Sequence, residues 1–161
     1  MYQTYWYRNS QWTQVLMLLQ KSLYAEEMVC AMSSQLFHIP KTKDLKGNKE
    51  MHSHLVPASY HRVTAVGSAQ RLHNGEKQSS IVKTLTECIK NAEKQDKNVR
   101  EGLEVMKENA PTEFQSFMKV IIQWQNQAET YLAQSKSMVQ SMGFQISNEQ
   151  DQQSEEEATT Y

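Results

Sequence analysis

Only five Gly and three Pro occur in this chain of 161 residues, too few for a protein built on many tight turns. The residues in their place, chiefly Gln, Lys, Glu, Met, Leu and Ala, include the strongest helix formers, so the composition points to all-α. Cysteine is almost absent. Two residues, Cys30 and Cys88, make no disulfide framework, and both fall on apolar helix faces where a free thiol behaves as a small hydrophobe. Long apolar runs are missing as well: the longest is the five-residue Val15 to Leu19, far short of a membrane span. With no charged-then-apolar leader at the start, the expectation is a cytoplasmic protein. Also missing are a Gly-rich phosphate loop, a Gly-x-Ser-x-Gly elbow and a Cys-x-x-Cys pair, which removes the common local signatures of catalysis.

Hydrophobic residues make up 39% of the chain, enough for one domain with a real core. The net charge of −1 conceals an asymmetry. Five of the 18 acids lie in residues 147–161, which hold no Lys or Arg, so the rest of the chain sets 17 basic residues against 13 acidic ones. The basic excess is spread out, with one loose cluster at Lys41, Lys43, Lys46 and Lys49. Such a cluster reads as a solvated loop and not as a nucleic-acid surface.

Four stretches carry helical periodicity. The first, opened by Asn9 or Ser10, turns Trp12, Val15, Leu16, Leu19, Leu23, Cys30 and Phe37 to one side and ends before Pro40. The second runs from about Ala58 to the Asn74-Gly75 stop, after a candidate helical start near Lys49 that Pro57 would kink or restart, with Val56, Tyr60, Val63, Gly67 and Gln70 as its expected inward side. The third extends from Ser79 or Ser80 to about Glu108 on Ile81, Leu85, Cys88, Ala92, Val99, Leu103 and Met106. The fourth opens at Pro111 and closes at Gly143, with Phe114, Phe117, Ile121, Trp124, Ala128, Leu132, Val139 and Met142 inward. The longer helices span about 42 to 48 Å, and short connections favour antiparallel neighbours. The fold expected is an up-down-up-down four-helix bundle over residues 10–146. An aromatic arm (1–9) precedes it and an acidic tail (147–161), expected to be disordered, follows.

The arm concentrates Tyr2, Tyr5, Trp6 and Tyr7 ahead of Arg8. These rings either pack on the bundle or contact a partner, be it a protein or a membrane interface without a transmembrane segment; in a coat or shell component they would become cross-linked. His52 and His54 form a His-Ser-His, whose side chains point apart on a helix and are expected in solvent. No metal ligand set is assigned to them.

Three apolar stripes are each broken once near mid-helix, at Glu26, Asp96 and Gln125. In a bundle of matched helices these positions share a level, and the second helix brings Tyr60 and His61 to it. With Glu26 and Asp96 level, Cys30 and Cys88 stand ~18 Å apart along the axis, too far to bond. The order of helices and the run Tyr24-Ala25-Glu26-Glu27-Met28 resemble the ferritin-like family of carboxylate-bridged di-iron bundles. In that family the first and third helices each give a Glu, and the second and fourth each give a Glu-x-x-His. Carried over, Glu26 matches and Asp96 is a shorter substitute. Tyr60 and Val63 stand where the second helix would bind, and Gln125 and Ala128 where the fourth would. The resemblance therefore implies a ferritin-like fold stripped of its di-iron ligands, with no cofactor. Glu26, Tyr60, Asp96 and Gln125 would form a hydrogen-bonded polar core layer. The functional expectation is a non-catalytic structural or protein-interaction module, probing a protein partner or self-association. The alternative is a metal-binding or redox bundle using Glu26, Asp96 and His61.

Overall fold

The structure, a computed structural model, describes the backbone of residues 2–146 and the side chains of residues 10–146. Four helices account for nearly all of it: α1 (Tyr2–Gln35), α2 (Asn48–His73), α3 (Ser79–Asn109) and α4 (Gln115–Ser141). Single 3-10 turns follow α1 at Leu36–His38 and precede α4 at Thr112–Phe114. The all-α four-helix bundle expected from composition and periodicity is the fold observed.

Two apolar clusters establish the chain directions. One joins Trp12 to Leu19 of α1, Ala65 to Leu72 of α2, Ile81 to Ala92 of α3, and Leu132 and Val139 of α4. The other joins Val29 and Leu36, Met51 and Leu55, Val99 to Met106, and Met118 and Ile121. The early half of α1 thus meets the late half of α2, the early half of α3 and the late half of α4, which is an up-down-up-down arrangement. α1 borders α2 and α4, and α3 borders the same two. The connections, residues 36–47, 74–78 and 110–114, all join adjacent antiparallel helices. Ferritin-like bundles carry one long crossover, so the connectivity here departs from theirs.

α3 follows its sequence reading closely, since every apolar position expected inward is buried and Asp96 lies among them. α1 drifts in its second half. Val29 and Ser33 are buried there and Cys30 is exposed, because the inward face of a 3.6-residue helix rotates slowly against strict three-four steps; in the 3-10 turn that follows, Leu36 is buried and Phe37 exposed. On α4 the same effect puts Met118 inside and leaves Trp124 and Phe117 half-buried. The backbone of the expected arm is already helical from Tyr2, continuous with α1. The side chains of Tyr2, Tyr5, Trp6 and Tyr7, and the whole of residues 147–161, lie outside the described residues.

α2 differs most from expectation. It begins at Asn48, beside the candidate start near Lys49, and continues through Pro57 as one helix in place of a kink or restart there and a main helix from about Ala58. A proline inside a helix forfeits one backbone hydrogen bond and crowds the preceding turn. Tertiary anchors outweigh that cost: Met51 and Leu55 are buried, and the Asn48 amide donates to the Ser33 carbonyl at 3.1 Å. Gly47 precedes the helix with φ +95°, a conformation that glycine adopts without strain. A side chain there would strike the Gly102 carbonyl of α3 at 2.9 Å, and one on Gly102 would meet Met51 Cβ at 2.6 Å. The two glycines let the start of α2 lie directly on the backbone of α3.

His52 and His54 are half-buried, and so do not stand free in solvent. The ring of His52 packs on Phe37, with centroids 5.2 Å apart, and its Nε2 lies 2.9 Å from the Ser33 hydroxyl. His54 Nδ1 faces Gln95 of α3 at 3.3 Å. Two positions apart on α2, the two rings reach opposite neighbouring helices.

Candidate functional site

Between the two apolar clusters lies a level of polar side chains. Glu26, Asp96 and Gln125 are all at most 2% exposed, as expected for breaks in inward stripes. Tyr60 is not among them. It is 68% exposed on the outer side of α2, its ring edge-on to half-buried His61 at 5.5 Å. The position facing inward is Arg62, which is fully buried.

The phase of α2 follows from the room that Arg62 needs. The helix turns Ala58, Ala65 and Ala69 inward, and these small side chains leave space for one long one. Placing Val56, Tyr60 and Val63 inward instead would have exposed the guanidinium and left Glu26 and Asp96 buried without a counter-charge, a costly arrangement. One sign of this was present in the sequence: two isolated acids on inward stripes require a cation, and Arg62 stands in the alanine-rich stripe of α2.

Arg62 reaches both acids. Its Nη1 donates to Asp96 Oδ1 at 2.8 Å and its Nη2 to Asp96 Oδ2 at 2.6 Å, a two-pronged pair. Nη1 also donates to Glu26 Oε2. Nε donates to the Ser22 hydroxyl at 2.9 Å, and Ser22 in turn donates to the Ala128 carbonyl of α4 at 2.6 Å. A single side chain from α2 thereby links α1 to α3, which are not neighbours, and through Ser22 the layer touches all four helices. Ser22 went unnoticed in the sequence because a serine on an inward face reads only as a small residue. The Gln125 amide has no hydrogen-bond partner among the described side chains and backbone.

The charges explain the titration. One guanidinium confronts two carboxylates, so full ionisation would leave one unbalanced negative charge in the core. Burial pushes the Glu26 carboxyl up to about 7; Arg62 pulls it down and the Asp96 carboxylate pushes it further up. Arg62 stays firmly charged: burial opposes its charge, but Asp96 and Glu26 together raise it above its ordinary value. A proton on Glu26 makes the triad neutral overall.

The place between the two carboxylates is therefore taken by a guanidinium. A cation seated there would have to displace Arg62, and no third His, Cys, Asp or Glu joins them: among the described residues no group of three such side chains could hold a metal ion. His61 is half-buried beside Tyr60 and is not part of the triad. Cys30 is exposed, Cys88 is buried in the cluster of Trp12 and Leu19, and both are free. No helix among the described residues is long and apolar enough to cross a membrane.

Outside the core, α1 and α4 form a shallow groove of about 470 Å³ lined by Met17, Lys21, Tyr24, Trp124 and Tyr131. Tyr24 meets Trp124 edge-on at 5.9 Å, and Lys21 lies over the Tyr131 ring at 5.6 Å. No family model matches the chain, and neither curated proteins nor solved structures match it.

Proposed function

We propose that this chain is a non-catalytic helical bundle that works as a structural or protein-interaction module, in a reducing and cytoplasmic setting. The supporting observation is the Arg62 triad. The buried groups best suited to acid-base or metal chemistry already serve one another, since Arg62 donates to one oxygen of Glu26 and to both oxygens of Asp96. Such a layer suits the holding of four helices in one alignment better than the turning over of a substrate. On this reading, likeness to ferritin-like bundles extends to the number of helices and to carboxylates at mid-core, while the di-iron chemistry is gone. The protein then acts through its outer surfaces, on a protein partner or on itself.

Metal analysis of protein purified without chelator tests the proposal. The expected result is no stoichiometric transition metal. Iron or manganese bound one-to-one or two-to-one, and lost in Glu26→Ala, would overturn it in favour of a metal-binding bundle.

A further inference from the structure

α2 carries two stripes, and only one is covered by the bundle. The second, Val56, Tyr60, Val63, Gly67 and Gln70, advances by four, three, four and three residues, the stepping with which one helix packs along another. Val56 is 70%, Tyr60 68% and Val63 54% exposed, and an added Cβ at Gly67 would have nothing within 4 Å. An outward face of this kind on a bundle helix departs from the usual polar surface.

Along α2 itself the stripe is flanked by uncharged residues. From Met51 to Gln70 the only Lys, Arg, Asp or Glu is Arg62, which is buried. The residues flanking the stripe are Pro57, Ser59, Thr64 and Val66. The outer side of α3, by contrast, presents Lys83, Lys94, Lys97, Glu101 and Glu104. Loss of charge together with an exposed aromatic is the compositional mark of an interface centre.

We propose that this outer stripe of α2 is a self-association surface, taken up by the same stripe of a second copy. The proposal rests on the interaction-module reading and names its partner. Charge favours a second copy: a two-fold contact sets a surface against itself, so any charged residue near the axis would face its own like, and this face has none to repel. The stepping calls for a helix as the occupant, and α2 itself supplies one of matching spacing. Val63 is the midpoint of the stripe and lies on or beside the axis. From Val56 to Gln70 the stripe is about 21 Å long and ~10 Å wide, well below the roughly 800 Å² per partner of a standard interface. The association is accordingly weak and reversible.

Sedimentation equilibrium of the full chain, from low to high micromolar concentration, tests this. The average mass should rise from 18.7 kDa towards that of a dimer. Tyr60→Glu and Val63→Glu should each weaken the dimer by about tenfold or more while retaining the helical circular dichroism of the parent. Gly67→Arg, where open space surrounds the added side chain, gives a second probe should either variant fold poorly. Val63→Glu and Val63→Lys should each be monomeric alone, and an equimolar mixture should recover the dimer. Overturning results are a parent chain monomeric throughout, or a dimer indifferent to these substitutions and abolished by Tyr24→Glu in the α1/α4 groove. A metal-free monomer would sink the self-contact alone; a metal-loaded dimer would sink the module reading alone.

Discussion

Replacing Arg62 by methionine removes a charge while nearly keeping length and apolar contact, and leaves Glu26 and Asp96 facing each other in the core without a cation. Breaking a buried ion pair from one side costs about 3–5 kcal/mol, a large share of the roughly 5–15 kcal/mol that holds a domain folded. Both acids lose their main donors, because Arg62 makes two hydrogen bonds to Asp96 and one to Glu26. In urea unfolding at pH 7, with a slope near 2 kcal/mol/M, Arg62→Met should lower the midpoint by about 2 M. Lowering the pH to 5 should return part of the loss, since Glu26, whose carboxyl burial pushes up to about 7, then carries a proton and no longer needs the guanidinium. The triple variant Glu26→Leu/Arg62→Met/Asp96→Leu removes all the charges together and should be close to the parent, or more stable by about 1–4 kcal/mol. An Arg62→Met midpoint within ~0.3 M of the parent would refute the argument that the guanidinium neutralises the core. A triple variant as unstable as the single one would show instead that the triad contributes net stability.

Three further expectations follow from the same structure. Glu26 holds its proton more tightly when folded, at about 7 against an ordinary 4.5, so its contribution to stability is full below pH ~4.5 and is lost as the pH rises through 7, by about 3 kcal/mol at most; the stability difference between the parent and Glu26→Gln, measured by urea unfolding at pH 5 and pH 8, should change in that direction, and a constant difference would contradict it. Gly102→Ala should destabilise the fold by about 1–3 kcal/mol despite the better helix propensity of alanine, because the new methyl meets Met51 Cβ at 2.6 Å; a raised melting temperature would exclude that close approach. In native protein a thiol reagent should label exposed Cys30 promptly and buried Cys88, whose thiol burial pushes up, only on unfolding; equal rates would argue against the burial of α3 at that point.

Legibility in the sequence varied with how cleanly each helix separates its faces. α3 alternates charged and apolar residues, so its inward stripe and the break at Asp96 could be read directly. Glu26 and Gln125 were legible for the same reason, as polar residues where the pattern required apolar ones. α2 misled because both its sides are weakly apolar. Val56, Tyr60 and Val63 outweigh Ala58, Ala65 and Ala69 in bulk, and a ranking by hydrophobicity turns the helix the wrong way. What decided the matter was a charge on another helix, which no local pattern can register. Pro57 gave the other false signal: it marks a break by its own chemistry, yet Met51, Leu55 and Asn48 hold the helix together across it.

The ionic layer also divides the interior. Each apolar cluster draws on all four helices, and the triad lies between them. Fraying that starts at one end can spread through its own cluster and still meet a barrier at mid-length, where opening further would strand a guanidinium among carboxylates it no longer reaches. Amides around Ser22 to Glu26, Ala58 to Arg62 and Ala92 to Asp96 should therefore be the slowest to exchange with solvent hydrogen, with the two ends of the bundle opening as separate units.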